Sequence, residues 1–148
     1  METEELLERL CPPVRNWFMD KFPDFTEPQK VAIPRILKGE HLLLCSPTGS
    51  GKTLTAFLTI IDDLVRGSLD GTLPDSVQCV YISPIKALAN DIEKNLLGPL
   101  GEIKERFLPS RAKEIKVGLR TGDTPQSERE KMLRKPPHIL ITTPESLG

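Results

Sequence analysis

The run Ser46-Pro47-Thr48-Gly49-Ser50-Gly51-Lys52-Thr53 decides how this chain is read. It follows His41-Leu42-Leu43-Leu44-Cys45, a short apolar stretch with the character of a strand. Leu54 to Val65 comes after it, with the amphipathic spacing of a helix. A glycine-rich turn from strand to helix that closes on Gly-Lys-Thr is a phosphate cradle. Its backbone N–H groups point inward, a helix N-terminus lies beneath the phosphates, and one lysine supplies a fixed cation. In that geometry Lys52 reaches the β- and γ-phosphates and the Thr53 hydroxyl holds Mg²⁺. Gly49 and Gly51 permit an approach that a Cβ would obstruct. The first position is Ser46, where the strict pattern has glycine, so the strand–turn–helix context carries the assignment.

At 148 residues the chain has the length of about one domain, enough to bury a real core. The net charge of −1 gives no basic field, so any affinity for nucleic acid must come from local geometry. Cys11, Cys45 and Cys79 have no metal-ligand spacing. Two of them sit in apolar runs where cysteine acts as a small hydrophobe, which points to a reducing, cytoplasmic compartment. The acidic start Met1-Glu2-Thr3-Glu4-Glu5 lacks the order of a signal peptide, and no apolar run is long enough to cross a bilayer.

Residues 1–25 read as a helical segment, with Leu6, Leu7, Leu10, Val14, Trp17 and Phe18 at helical spacing until Pro23. Thr26 is the expected N-cap of a second helix that stops at Gly39. From there strands alternate with helices. Strands are expected at 42–45, 77–82, 115–119 and 138–142. Helices are expected from the phosphate loop to about Gly67, from Lys86 until Gly98-Pro99 breaks it, and from a Thr124-Pro125 cap to about Arg134. This alternation implies a parallel sheet with helices on both faces, and ligands at the strand C-termini.

Three more strand ends share the phosphate-loop edge: Ser83-Pro84-Ile85-Lys86, Arg120-Thr121-Gly122-Asp123-Thr124 and Thr142-Thr143-Pro144-Glu145. Each opens a helix and offers N–H groups and a positive dipole end to an anion. With Lys86 and Arg120 beside them they could form a track for successive phosphates. The plainer reading makes Thr124 and Thr143 helix caps, and Lys86, Arg120 and Gln29 solvated surface groups. Gln29 has a functional alternative, a bidentate amide pair with adenine.

The ordered series Gln29, Ala32-Ile33-Pro34, SPTGSGKT, SPIKALAND, RTGDT and ITTPESL resembles the N-terminal motor domain of superfamily 2 helicases, and most of all the large helicase-related (Lhr) family. The resemblance runs from about Trp17 to the last residue, and it implies an α/β, RecA-like P-loop domain, a three-layer α/β/α parallel sheet over 26–148. It makes Gln29 the adenine reader, assigns Thr48, Gly49, Ser50, Gly51, Lys52 and Thr53 to the ATP and Mg²⁺, and makes Lys52 and Thr53 the catalytic candidates. It places Ser83, Pro84, Lys86, Arg120, Thr121, Gly122, Thr143 and Pro144 against single-stranded or duplex nucleic acid, with DNA favoured over RNA but the choice among DNA, RNA and a hybrid left open by the sequence. Such helicases couple ATP binding to closure of two RecA-like domains and step along one strand, typically 3′ to 5′.

The family pattern continues to an Asp-Glu motif and a second RecA-like domain, neither of which occurs here. Asp62-Asp63 falls mid-helix, not after a strand. The expectation is therefore a sheet that stops short of the Asp-Glu strand, the N-terminal part of a longer helicase that binds ATP but hydrolyses it negligibly without the rest. A non-catalytic ATP- and nucleic-acid-binding module is the alternative, and a P-loop ATPase unrelated to nucleic acid a weaker third.

Overall fold

Three of the four apolar runs pair as parallel strands: β1 (Cys79–Ile82), β2 (Val117–Arg120) and β3 (Ile139–Thr142), in the order β1-β3-β2. The computed structural model describes residues 2–45 and 52–147. The expected cradle residues Thr48, Gly49, Ser50 and Gly51 lie outside the described residues. The central strand β3 buries Ile139 and Ile141 and has no polar face, as expected of a strand covered on both sides. Seven helices are described with it: α1 (Thr3–Arg9), α2 (Pro12–Lys21), α3 (Glu27–Leu37), α4 (Lys52–Asp70), α5 (Lys86–Phe107), α6 (Gln126–Arg134) and α7 (Pro144–Leu147).

One apolar cluster joins both ends of the chain. Leu6, Val14, Trp17 and Phe18 from α1 and α2 lie in the same buried set as Leu58, Ile61 and Val65 of α4, Leu96 and Ile103 of α5, and Ile139 of β3. Phe18 stacks on Phe25 with ring centroids 4.1 Å apart. Pro12 and Pro13 restart the helix after Leu10, because proline is compatible with the first turn, where its missing N–H has no helical partner. α3 starts as expected: Thr26 N donates to Gln29 Oε1 at 2.8 Å, and Gln29 N donates to Thr26 Oγ1 at 3.4 Å. Gly39 ends it at φ +80°, a left-handed value that favours glycine.

Four local expectations are corrected. The segment 41–45 is not a strand. Leu43 is 88% exposed and Leu42 is also exposed, and no strand among the described residues pairs with them. An apolar run becomes a strand only against a partner edge. α4 passes Gly67 and continues to Asp70, and the stop falls instead at Gly71, which takes a left-handed φ of +72°. α5 is continuous through Pro99. An internal proline costs a helix about 3 kcal/mol, but here burial of Leu96, Leu100 and Ile103 on one face holds the two halves in line. Finally, Pro125 and not Thr124 is the N-cap of α6, which has no side-chain cap.

Candidate functional site

The register fixes the shared edge. Ile82 and Arg120 both lie opposite Thr142, so the chain leaves all three strands at one level. Two hydrogen bonds lock that level: Ser83 N to Thr142 O at 2.9 Å, and Thr142 Oγ1 to Arg120 O at 2.7 Å. Lys86, Arg120, Thr121, Gly122, Thr143 and Pro144 are thereby brought together with Ser83 and Pro84.

Their roles divide by burial. Ser83, Thr121 and Thr143 are buried, and their hydroxyls work inside their own turns. Ser83 Oγ donates to Ile85 O at 3.3 Å, Thr121 Oγ1 accepts from Asp123 N at 3.2 Å, and Thr143 Oγ1 lies 3.4 Å from Ser146 Oγ. These side chains shape the turns. Pro84, Lys86, Gly122 and Pro144 are the exposed members. Pro84, Lys86, Arg120, Gly122, Arg129 and Glu145 line an open groove of about 780 Å³ over this edge. Arg120 Nε is buried with no hydrogen-bond partner among the described residues. An unpaired guanidinium N–H is unfavourable away from water. The Glu145 carboxyl is held below the usual range, first by its own backbone N–H, then by the Thr143 hydroxyl, with a smaller pull from Lys86.

Arg129 is the residue sequence reasoning missed. Its Nε donates to Thr124 O at 3.1 Å and its Nη2 to Thr121 O at 2.9 Å, while Thr121 N donates to Thr124 Oγ1 at 2.8 Å. The 121–124 turn is thus held at both ends. The available sequence signal was weak: an arginine one turn into the polar helix that follows RTGDT.

On the nucleotide side, α4 begins at Lys52, and both Lys52 and Thr53 are exposed at its first turn. A 19-residue helix presents the positive end of its dipole there. That donor set fits a phosphate tail, and a hydroxyl oxygen fits Mg²⁺. No group of three or more His, Cys, Asp or Glu side chains among the described residues could hold a metal. Lys52 also borders an open notch of about 730 Å³ with Leu42, Leu44, Thr55, Ile60 and Val80. Gln29 is 2% exposed, with its Oε1 engaged by Thr26 N. No helix among the described residues is long and apolar enough to cross a membrane.

A parallel sheet whose strand ends gather Lys86, Arg120 and Arg129, beside a long helix opening on Lys52-Thr53, has the layout of a RecA-like domain of the helicase type. The chain belongs to the DEAD/DEAH box helicase family, whose description matches residues 26–148, and within superfamily 2 to its Lhr branch. It is 56% identical over 145 residues to the ATP-dependent helicase Lhr-Core of Methanothermobacter thermautotrophicus, covering 97% of this chain and 17% of that protein. Among solved structures, it resembles the Mycobacterium smegmatis helicase Lhr bound to ssDNA and AMP-PNP, at TM-score 0.83 and 45% identity, covering 96% of this chain and 18% of that one. The DUF1998 helicase MrfA bound to DNA and AMPPNP superposes with TM-score 0.77 at 27% identity, over 95% of this chain and 18% of that one. The chain spans less than a fifth of the length of each of these three proteins.

Proposed function

We propose that this chain is the N-terminal nucleotide- and strand-binding portion of an ATP-dependent, Lhr-type helicase that translocates on and unwinds nucleic acid. The observation that carries the proposal is the register-locked row of strand ends, which gathers Lys86, Arg120 and Arg129 along one groove. Residues 26–148 form the ATP-binding RecA-like part, and 1–25 a helical segment packed against it. Lys52 and Thr53, with Thr48, Gly49, Ser50 and Gly51, hold the triphosphate and Mg²⁺, which supply the phosphoryl-transfer chemistry when bound. Gln29 reads adenine. Ser83, Pro84, Lys86, Arg120, Thr121, Gly122, Thr143 and Pro144 serve the backbone of one strand, with the buried hydroxyls orienting the turns and the exposed groups making contact. Contacts of this kind are to phosphate and sugar, so binding is largely independent of base sequence. DNA is the favoured substrate, in line with the relatives solved with DNA. Hydrolysis requires the remainder of the helicase chain, and the reducing cytoplasm suits the cysteine usage.

One experiment on the intact polypeptide has two arms. Lys52→Ala should abolish measurable ATP binding, because it removes the fixed cation of the cradle. Lys86→Ala and Arg120→Ala should each weaken single-stranded DNA binding and flatten its salt dependence. Nucleotide titration and strand affinity unchanged from wild type in these variants would overturn the proposal.

A further inference from the structure

Lys86 stands where a helix least favours a cation. It is the first residue of α5, a 22-residue helix with no side-chain cap at Ile85 and no acidic residue in its first turn. The positive dipole end and the ammonium therefore coincide, and the position calls for an anion. Asp123, from the turn after β2, provides it: its Oδ1 lies 3.2 Å from Lys86 Nζ. The lysine end passes close over Gly122 on its way across the turn. A Cβ there would stand 3.3 Å from Nζ and 3.4 Å from Cε. Glu145, at the third strand end, lines the same groove and adds its charge. The facing cations are Arg120 and Arg129.

We propose that Asp123 is the internal counter-ion of this groove: it holds Lys86 in the free protein and is exchanged for a nucleic-acid phosphate on binding. The inference rests on the strand-binding role proposed above. Both partners are largely exposed, Lys86 at 53% and Asp123 at 78% of their side chains, so the pair is weak and readily exchanged. Its effect lies in what exchange leaves behind, a released carboxylate beside a polyanion. Asp123 therefore lowers strand affinity and reduces the net charge that the groove offers to phosphates.

The test is Asp123→Asn in the intact polypeptide, with single-stranded DNA affinity measured across a salt series. The expected result is binding about two- to five-fold tighter at low salt, the range an exposed ion pair supports. The log–log salt slope should steepen by up to about 0.7, the increment for one more phosphate neutralised on a single strand, with the two curves converging at high salt. In a Lys86→Ala background the gain should shrink, since the exchanged partner is gone. Unchanged affinity and slope, weaker binding, or an undiminished gain in the Lys86→Ala background would each overturn the exchange. Lys86→Ala alone separates this from the larger reading. If that change weakens binding while Asp123→Asn does nothing, only the counter-ion role fails. If it leaves binding intact, the groove itself is misassigned.

Discussion

The Cys11 backbone N–H donates to Asp62 Oδ1 across 2.6 Å, tying the junction of the two N-terminal helices to the middle of α4. Asp62 is 2% exposed, and its other oxygen accepts from Arg66 Nε at 2.9 Å. Arg66 in turn donates to Arg9 O, so one carboxylate organises both sides of the break between α1 and α2. This acidic residue of the Asp62-Asp63 pair is structural. Asp62→Ala would leave a buried N–H without a partner and should destabilise the fold by about 1.5–3 kcal/mol. Asp62→Asn should fall between, since its single carbonyl oxygen can accept from Cys11 N–H only by turning the NH₂ toward Arg66. A urea midpoint for Asp62→Ala equal to wild type would refute this role.

The same contact protects a thiol. Burial, and then the Asp62 charge, push the Cys11 pKa from 9.0 up to about 12. The unfolded thiol loses its proton near 9.0, so between 9.0 and about 12 the unfolded state binds fewer protons than the folded one. Stability linked to Cys11 is therefore complete below pH 9.0 and falls as pH climbs toward 12. Cys45 is exposed and Cys11 buried. Alkylation at pH 9 should modify Cys45 rapidly and Cys11 only on unfolding. Equal rates at the two sites would sink the prediction, as would a Cys11→Ala variant with the same loss of stability above pH 9.

Local chemistry was legible in the sequence where its causes are local. The Thr26–Gln29 cap, the Gly39 stop and the cores of the three paired strands needed only neighbours a few residues away. What failed depended on distant partners. Leu42-Leu43-Leu44 has strand composition, but pairing is a property of two segments. Pro99 reads as a breaker until the burial of Leu96, Leu100 and Ile103 is known. Thr124 looks like a cap, yet its hydroxyl accepts from Thr121 N and donates to Leu119 O at 3.3 Å. Arg129 could not be singled out, because what it binds is a pair of carbonyls that exist together only once the turn has formed.

Gln29 joins stability to the proposed adenine contact, and two substitutions separate them. Gln29→Ala removes the acceptor for Thr26 N and should cost about 1 kcal/mol of stability. It should also erode any preference for ATP over GTP. Gln29→Glu keeps an acceptor for the cap, as glutamate does at this position of a capping box, but it lacks the amide donor that adenine N7 requires. The Glu variant should therefore lose nucleotide discrimination, read as the ATP-to-GTP affinity ratio of the folded protein, while its buried carboxylate lowers the urea midpoint. Wild-type discrimination in Gln29→Glu, read by competitive titration of ATP and GTP, would return the residue to a purely structural role.

Arg129 lines the groove and also holds the 121–124 turn, and charge and geometry predict different outcomes for it. A guanidinium can satisfy two carbonyls at once through a planar fork, whereas an ammonium is a point donor on a flexible stem. If Arg129 acts by fixing the turn, Arg129→Lys and Arg129→Ala should lose similar strand affinity, on the order of five- to ten-fold, the equivalent of about one net hydrogen bond. The Lys variant should keep the wild-type salt slope, since its charge is retained, and the loss should appear as an offset at every salt concentration. If Arg129 instead meets phosphate directly, lysine should restore most of the affinity and alanine should flatten the slope. Rescue by lysine would therefore reject the positioning role, and a parallel offset in both variants would reject the phosphate contact.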